Sequence, residues 1–239
     1  MAGKFIRGAL IQFVPTFHIP VPNVIVFQFN PETMSHSWTP AAPREHMPGG
    51  GDSNPLAVKG FPGESFSFTL AMDASDMIAD GTAVAAALAS TSGIYSRLAA
   101  LELLLFPQPG AGVDSLVKTL SAQNPGVPVN SLQKSVARAV PLSTVPVALF
   151  VWGPGRIVPV RVTSLTITEK LHDSLLNPTH AEAQIGLTVV TPDQVFALTS
   201  PLGTLASVAY HYTQGLRRAL ALANLESSTE SIIGMIPVG

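Results

Sequence analysis

The residues best suited to acid–base or metal chemistry are histidines, and their spacing predicts no site. They are His18, His36, His46, His172, His180 and His211. None has the paired spacing of a zinc-binding helix or an acidic ligand cluster beside it. The nearest approach to a constellation is His172-Asp173 with His180 and Glu182 across a turn. Strand alternation places His180 and Glu182 opposite the apolar face, where solvent is expected, so we predict no metal site.

Two glycine-rich segments, Gly49-Gly50-Gly51 and Gly153-Pro154-Gly155, are the candidates for phosphate binding. Neither follows a buried strand and opens a helix, so neither can present helix N-terminal amides to a phosphate. The chain also has no Gly-x-Ser-x-Gly elbow for a serine nucleophile. We therefore predict no catalysis and no cofactor. Carboxylates that converge only in the folded chain are invisible in sequence, so a hydrolase of that kind stays an open alternative.

Composition narrows the classes of partner. Cysteine is absent, which excludes disulfides and thiolate chemistry. The 13 Lys and Arg residues against 15 Asp and Glu residues give a net charge of −2, so nothing favours nucleic acid or an anionic membrane surface. Charged residues make up 12% of the chain, where about 25% is usual, and the mean hydropathy is positive. The longest apolar stretches, residues 145–152 and 216–225, are too short or interrupted to span a bilayer, so we expect protein partners to cover this surplus.

The first part of the chain is predicted to be rich in strands. Residues 5–13 and 24–30 are dense in β-branched and aromatic side chains. A turn at Asn30-Pro31 then leads to a shorter strand over residues 34–39. Residues 65–72 alternate strictly between apolar and small or polar side chains, as a half-buried strand does. Its apolar face comprises Phe66, Phe68, Leu70 and Met72.

The second half of the chain predicts a meander. Residues 147–152 and 157–168 flank Gly153-Pro154-Gly155-Arg156, which has the length and residue types of a hairpin loop. The apolar phase shifts near Ser164, and a β-bulge would absorb the extra residue. Residues 181–191 form the next strand, with Ala181, Ala183, Ile185, Leu187 and Val189 on one side.

Two longer helices are predicted. The first covers residues 94–105 and ends just before Pro107. Its apolar residues at helical spacing are Ile94, Leu98, Leu101 and Leu105. Residues 202–225 carry a second apolar series at steps of three and four, which predicts an amphipathic helix. That series is Leu205, Ala209, Tyr212, Leu216, Leu220 and Ala223.

The remaining segments set the domain organisation. Residues 40–63 are predicted to form a long loop, and residues 107–146 an insertion or crossover with a short helix near residues 132–139. We therefore assign residues 1–200 to one β domain and residues 201–239 to an amphipathic helix with an apolar tail. The tail contains Ile232 and Ile233, and it either docks to a partner or packs back on its own domain.

The segment Val26-Phe27-Gln28-Phe29-Asn30-Pro31-Glu32-Thr33-Met34, followed by Trp38, forms a motif. It resembles the opening of tube and baseplate-adaptor proteins of contractile injection systems, the phage-tail-like particles of bacteria. In that family an apolar strand also ends in Phe-Asn-Pro-Glu, and a short strand then ends near an aromatic residue. Residues 148–153, 163–167 and 181–189 resemble the family's later core strands in order and spacing. The resemblance extends over roughly residues 5–191.

The resemblance implies a tail-tube-like fold, which is mainly β with helices (α+β). Two antiparallel sheets would form a small barrel or sandwich with a packed helix. It also implies a six-fold ring of identical subunits at the spike end of the inner tube. Expected partners are the spike or hub protein, the inner tube and other baseplate subunits. Members often carry a LysM-type module after this domain, whereas this chain has a helix and tail there, so its exact baseplate position stays open.

The expected function is therefore structural: a ring that links the spike or hub to the tube. The candidate assembly contacts are Asn30, Pro31, Trp38, Trp152, Arg156, Ile232 and Ile233. A local turn at Asn30-Pro31 and core packing of the two tryptophans are the simpler alternatives. The rival function is a β-barrel protein that binds a small apolar ligand. The N-terminus lacks the apolar region of a secretory signal, so we expect assembly in the cytoplasm, in a particle either released or kept there.

Overall fold

The computed structural model of the chain describes residues 6–16, 19–43, 56–80, 83–106, 146–195 and 201–235. These residues combine strands and helices, as predicted. The strands are β1 (Ala9–Thr16), β2 (Ile19–Val26), β3 (Met34–Thr39), β4 (Ala42–Pro43), β5 (Val58–Lys59), β6 (Gly63–Asp73), β7 (Ala148–Val151), β8 (Ile157–His172) and β9 (Pro178–Val189). The helices are α1 (Ala74–Asp80), α2 (Ala83–Ser92), α3 (Tyr95–Glu102), α4 (Pro192–Val195) and α5 (Pro201–Met235).

Seven of these strands form one antiparallel sheet in the order β2-β1-β7-β8-β9-β6-β3. β4 and β5 form a separate two-stranded ribbon. The expected arrangement was two packed sheets. In the described residues there is instead one large sheet, whose edge strands β2 and β3 do not pair with each other, so no closed barrel forms.

The large sheet is strongly curled, which lets a single sheet enclose the core. β6 and β7 are separated by β8 and β9, which places them about 14 Å apart in a flat sheet. Yet the ring of Phe150 on β7 lies 5.2 Å from that of Phe66 and 5.5 Å from that of Phe68, both on β6. Side chains from distant strands therefore meet on the inner face. This curl takes the place of the second sheet that the sequence predicted.

Strict alternation decides which faces of β6 and β9 are inside. Phe66, Phe68, Leu70 and Met72 are all buried, as predicted for β6. The predicted inward face of β9 is likewise buried from Ala181 to Val189. β6 and β9 pair over nine residues, so the two apolar faces form one continuous wall of the core.

The β7–β8 hairpin and the bulge after it are also confirmed. The backbone N–H of Trp152 donates to the carbonyl oxygen of Arg156 at 2.8 Å and closes the turn. The register between β8 and β9 shifts between Val162 and Ser164, where the apolar phase changes. Two further shifts lie near the end of β8, between Glu169 and His172. Such bulges increase local twist, which is consistent with the curl of the sheet.

The first two strands lie at other positions than predicted. β3 has the predicted bounds, whereas the strand expected over residues 5–13 is Ala9–Thr16 and that expected over residues 24–30 is Ile19–Val26. β2 contains Pro20 and Pro22, and proline favours turns over regular strands. Proline, which lacks a backbone N–H, is tolerated on an edge strand because one side of that strand has no neighbouring strand that would accept a hydrogen bond.

The segment after β2 runs across the open side of the curled sheet. Phe27 packs against the rings of Phe68, Phe150 and Trp152 at 5.5 to 6.5 Å. The side-chain amide of the next residue, Gln28, binds both backbone groups of Asp73, as a neighbouring strand would. Its Nε2 donates to the carbonyl oxygen of Asp73 at 2.9 Å, and its Oε1 accepts from the N–H of Asp73 at 3.0 Å. This segment therefore connects the β2 side of the sheet to the end of β6.

The predicted helix over residues 94–105 is found as α3, followed by a turn. Ile94, Leu98 and Leu101 are buried as expected, but Leu104 is buried in place of Leu105 because the last residues leave the helical path. The N–H of Ile94 donates to the carbonyl oxygen of Pro178 at 2.9 Å. The α2–α3 corner is thereby attached to the start of β9.

Helix α5 is longer than predicted and uses a different face. It reaches Met235 and so includes Ile232 and Ile233, which were expected in a tail; their side chains lie outside the described part. Of the predicted inward series, Ala209 is buried and Leu216 is half-buried. The other four members, Leu205, Tyr212, Leu220 and Ala223, are exposed. Several predictions fall outside the described residues: most of the insertion 107–146 with its helix, residues 44–55 of the long loop, and the last four residues.

Candidate assembly surfaces

A buried carboxylate joins helix α5 to the sheet. Glu64, at the start of β6, is only 3% exposed. Nη1 of Arg217 on α5 donates to its Oε2 at 3.0 Å, and Nη2 of the same guanidinium donates to Oε1. His36 on β3 places its Nε2 2.9 Å from Oε1. Paired, charge-assisted contacts of this kind are among the strongest in proteins, so this cluster fixes α5 against the β3 side of the sheet.

Two predicted assembly contacts, Trp38 and Arg156, lie around this cluster. The guanidinium of Arg217 stacks over the Trp38 ring at 4.8 Å, and nearly half of the Trp38 side chain stays exposed. The guanidinium of Arg156 lies 5.2 Å above the Phe66 ring, with no ion-pair partner among the described residues. Burial and the neighbouring Arg217 lower the pKa of Arg156, whereas Glu64 acts in the opposite direction. The cluster therefore carries two arginines for one glutamate.

Two further predicted contacts, Asn30 and Trp152, make contacts within the fold. Asn30 accepts a hydrogen bond from the N–H of Gly8 at 2.9 Å, and its Nδ2 donates to the carbonyl oxygen of Ile6 at the same distance. Trp152 packs partly buried against Phe27 and Phe150. Pro31 is half-buried beside Asn30. Asn30 thus holds the segment before β1, and Trp152 fills the core edge.

The predicted weak constellation of histidines and acids separates into independent pairs. His172 contacts Glu169, and Lys170 contacts Glu182. Asp173 accepts from Asn177, whereas His180 lies against Asp73. Among the described residues no group of three or more His, Asp or Glu side chains is arranged to hold a metal ion.

One exposed apolar surface was missed by sequence reasoning. The turn between β8 and β9 presents Leu171, Leu175 and Leu176, of which Leu175 is 77% exposed. Asp173 shapes this turn by accepting from the N–H groups of Leu175 and Asn177. Its own pKa is lowered, first by the side chain of Asn177 and then by its backbone N–H. A Leu-Leu pair inside a polar turn is the sequence signal that could have indicated this surface.

A carboxylate at the opposite end of β6 caps helix α1 and contacts a histidine. Asp73 directly precedes α1, and its Oδ1 accepts from the N–H of Ser75 at 2.7 Å, as an N-cap does. His180 Nδ1 lies 3.3 Å from Oδ2. Partial burial opposes ionisation, but the Ser75 N–H and then His180 outweigh it, so the pKa of Asp73 lies below its ordinary value.

Acid unfolding should therefore depend on Asp73. A carboxylate whose pKa is lowered by folding stabilises the folded chain at pH values above its ordinary pKa of about 4. This stability is lost as the pH falls from there through the lowered pKa of the folded state. Asp73→Asn should be less stable than the parent at pH 7 and should lose less stability between pH 5 and pH 3. Urea unfolding at pH 7, 5 and 3 measures this, with His180→Gln as the control that keeps the Ser75 contact. Parallel pH profiles for the parent chain and Asp73→Asn would contradict it.

Neither a protein-family model nor a curated protein matches the chain. Within the described helices, none combines the length and apolar character needed to cross a membrane.

Proposed function

We propose that this chain is a structural, non-catalytic subunit of a contractile injection system. Copies of it would form a ring that links the spike or hub protein to the inner tube. The observation that carries the proposal is the large sheet, whose edge strands β2 and β3 each have a single neighbour in the described residues. Unpaired edges expose backbone N–H and C=O groups that pair readily with another chain. The resemblance of residues 5–191 to the tail-tube family makes a ring the expected product of that pairing.

The direction of the two edges is compatible with a ring of copies. Six antiparallel steps separate β2 from β3, so these two strands run in the same direction. A head-to-tail contact, with β3 of one copy beside β2 of the next, is therefore a parallel pairing that repeats by rotation until it closes. A two-fold contact would pair β2 with β2, or β3 with β3, and would stop at two copies.

The tail-tube type of the fold and its partners belong to the same proposal. The curl of the sheet supports a barrel-like or sandwich-like domain over residues 1–200, with residues 201–239 as its extension. The exposed leucines of the β8–β9 turn and the partly exposed Trp38 are surfaces suited to neighbouring baseplate subunits. The low content of charged residues supports a subunit whose surface is covered by protein partners, and the net charge of −2 offers nothing to nucleic acid. We propose that it assembles in the cytoplasm without membrane insertion.

The packing of the interior disfavours the ligand-binding alternative. A barrel that encloses a small apolar molecule needs open space between its walls. In this chain the inner face of the sheet is filled by Phe27, Phe66, Phe68 and Phe150, whose rings contact one another. The hydrolase alternative also finds no support, since the buried carboxylate of Glu64 is bound by Arg217 and His36.

Negative-stain imaging of edge variants tests the proposal. Val24 on β2 is 49% exposed, and Val24→Lys places a charge on the edge, a substitution that disfavours strand addition. We expect rings from the parent chain and few or none from Val24→Lys. The matched control is Val58→Lys in the β4–β5 ribbon, where the valine is 59% exposed and ring formation should persist. If Val24→Lys and Val58→Lys assemble alike, the β2 edge is not the contact.

A further inference from the structure

Helix α5 is apolar on two opposite sides, and only one of them is buried against the sheet. The inward side is buried at Gly203, Ala206, Ala209, Tyr210 and Thr213. Thr213 bonds both backbone groups of Ile157: its Oγ1 accepts from the N–H and donates to the carbonyl oxygen. Together with the pairing of Arg217 and Glu64, these contacts fix which side of α5 faces outward.

The outward side carries a regular apolar stripe. We call it the outer stripe; its members are Leu205, Val208, Tyr212, Gly215, Ala219 and Leu222. All six are exposed, including Val208 at 60% and Leu222 at 67%. Successive members are alternately three and four residues apart, which is the spacing of a coiled-coil seam. No charged side chain belongs to the stripe, so it has the pattern of a helix–helix contact surface.

The sizes of the side chains indicate what this stripe fits. If a second copy lies antiparallel, Leu205 faces Leu222, Val208 faces Ala219 and Tyr212 faces Gly215. The first layer then pairs two leucines, and each of the other two layers combines a larger side chain with a smaller one. Tyr212 is held at the surface by its hydroxyl, which donates to the carbonyl oxygen of Pro154 at 3.0 Å. The space beside Gly215 is open, since an added Cβ would meet nothing within 4 Å.

A parallel pairing would match these residues poorly. It would place Tyr212 against Tyr212 and Gly215 against Gly215, which alternates crowded layers with gaps. Interdigitation of large with small side chains is what fills a helix interface to native density. The antiparallel arrangement is therefore the better fit for this sequence of sizes.

We propose that the outer stripe binds the outer stripe of a second copy of this chain as an antiparallel helix pair. This inference does not rest on the proposed function, because it uses no sheet edge. The 18 residues from Leu205 to Leu222 extend about 27 Å, which is roughly five helical turns. A contact along one side of five turns is small against the roughly 1,000 Å² that stable interfaces bury, so one helix pair forms a weak, concentration-dependent dimer. Several pairs between two rings would add their effects.

Cysteine cross-linking tests both the contact and its direction. The chain has no cysteine, so single substitutions report only the designed contact. In the antiparallel pair residue 205 lies opposite residue 222, whereas two copies of residue 222 are about 25 Å apart. A mixture of Leu205→Cys and Leu222→Cys chains should form roughly tenfold more oxidised dimer than either variant alone. As a control, mixing Leu205→Cys with Ala221→Cys should give no such excess, because Ala221 is exposed on another side of the helix.

Three outcomes would overturn the inference: no cross-linking in the mixture, equal cross-linking by Leu222→Cys alone, or equal cross-linking with Ala221→Cys. A second measurement avoids cysteine altogether. Sedimentation of Leu222→Glu should show less dimer than the parent chain at the same concentration, whereas Ala221→Glu should match the parent. Equal dimerisation of Leu222→Glu and the parent would also contradict the proposal. Because neither experiment touches β2 or β3, loss of the helix contact and loss of ring formation are distinguishable.

Discussion

Replacing Arg217 with methionine is expected to destabilise the fold by about 3 kcal/mol. The substitution keeps most of the apolar stem but leaves the carboxylate of Glu64, which is 3% exposed, without its main counter-charge. Removing one partner of a buried ion pair typically costs about 3–5 kcal/mol, and the partial exposure of Arg217 places this case at the lower end. Urea unfolding of the parent and the variant measures the difference.

A double variant separates the lost pairing from lost packing. Glu64→Gln combined with Arg217→Met removes both charges. We therefore expect the double variant to lose less stability than the sum of the losses in the two single variants. The control is Lys170→Met, because the ion pair of Lys170 with Glu182 is largely exposed and such pairs contribute little. Strict additivity of the two single effects, or an Arg217→Met variant as stable as Lys170→Met, would contradict this account of the cluster.

Replacing Gly93 with alanine is expected to cost about 3 kcal/mol or more. Gly93 has a φ of 58° in the corner between α2 and α3, a conformation that costs an L-residue roughly 1 kcal/mol or more. The added Cβ would also lie 2.1 Å from the carbonyl oxygen of Pro178, so backbone has to move. That oxygen accepts from the N–H of Ile94, and this bond would be disturbed as well. The midpoint of thermal unfolding should fall by roughly 10 °C.

Gly153 provides a matched control for this prediction. It also has a positive φ, 68°, but an added Cβ would meet nothing within 4 Å. Gly153→Ala should therefore show only the conformational cost of about 1 kcal/mol. If both variants lose the same stability, the close approach to Pro178 is not what makes Gly93 necessary.

The sequence predicted best where one local pattern decides the outcome. β6 and β9 alternate strictly, and the buried faces are those that the alternation indicates. The bulge at Ser164 follows from a break in the same period. β2 was displaced because its prolines favour a turn, and only its position at the sheet edge makes them tolerable.

Helix α5 shows why periodicity alone can select the wrong face. Both sides of the helix are apolar, so series at steps of three and four can be drawn on either one. Leu205 and Tyr212 were assigned inward, whereas the buried residues are Ala206, Tyr210 and Thr213. Polar contacts that the sequence pattern does not contain decide the orientation, above all the pairing of Arg217 with Glu64, which are 153 residues apart in the chain.

The candidate surfaces were only partly predictable for the same reason. Trp38 and Arg156 were singled out separately, and the structure places them around one buried carboxylate. Asn30 was chosen as a contact or a turn residue, yet its side chain binds the segment before β1. Such contacts join residues distant in sequence, so they depend on the curl of the sheet and not on any local motif.

The central claim is that copies of this chain form a closed ring, and native mass spectrometry of the purified chain tests it most directly. The account predicts an assembly of six copies whose population falls when Val24 is replaced by lysine. A chain that stays monomeric, or that stops at a dimer lost on replacing Leu222 by glutamate, would contradict the ring.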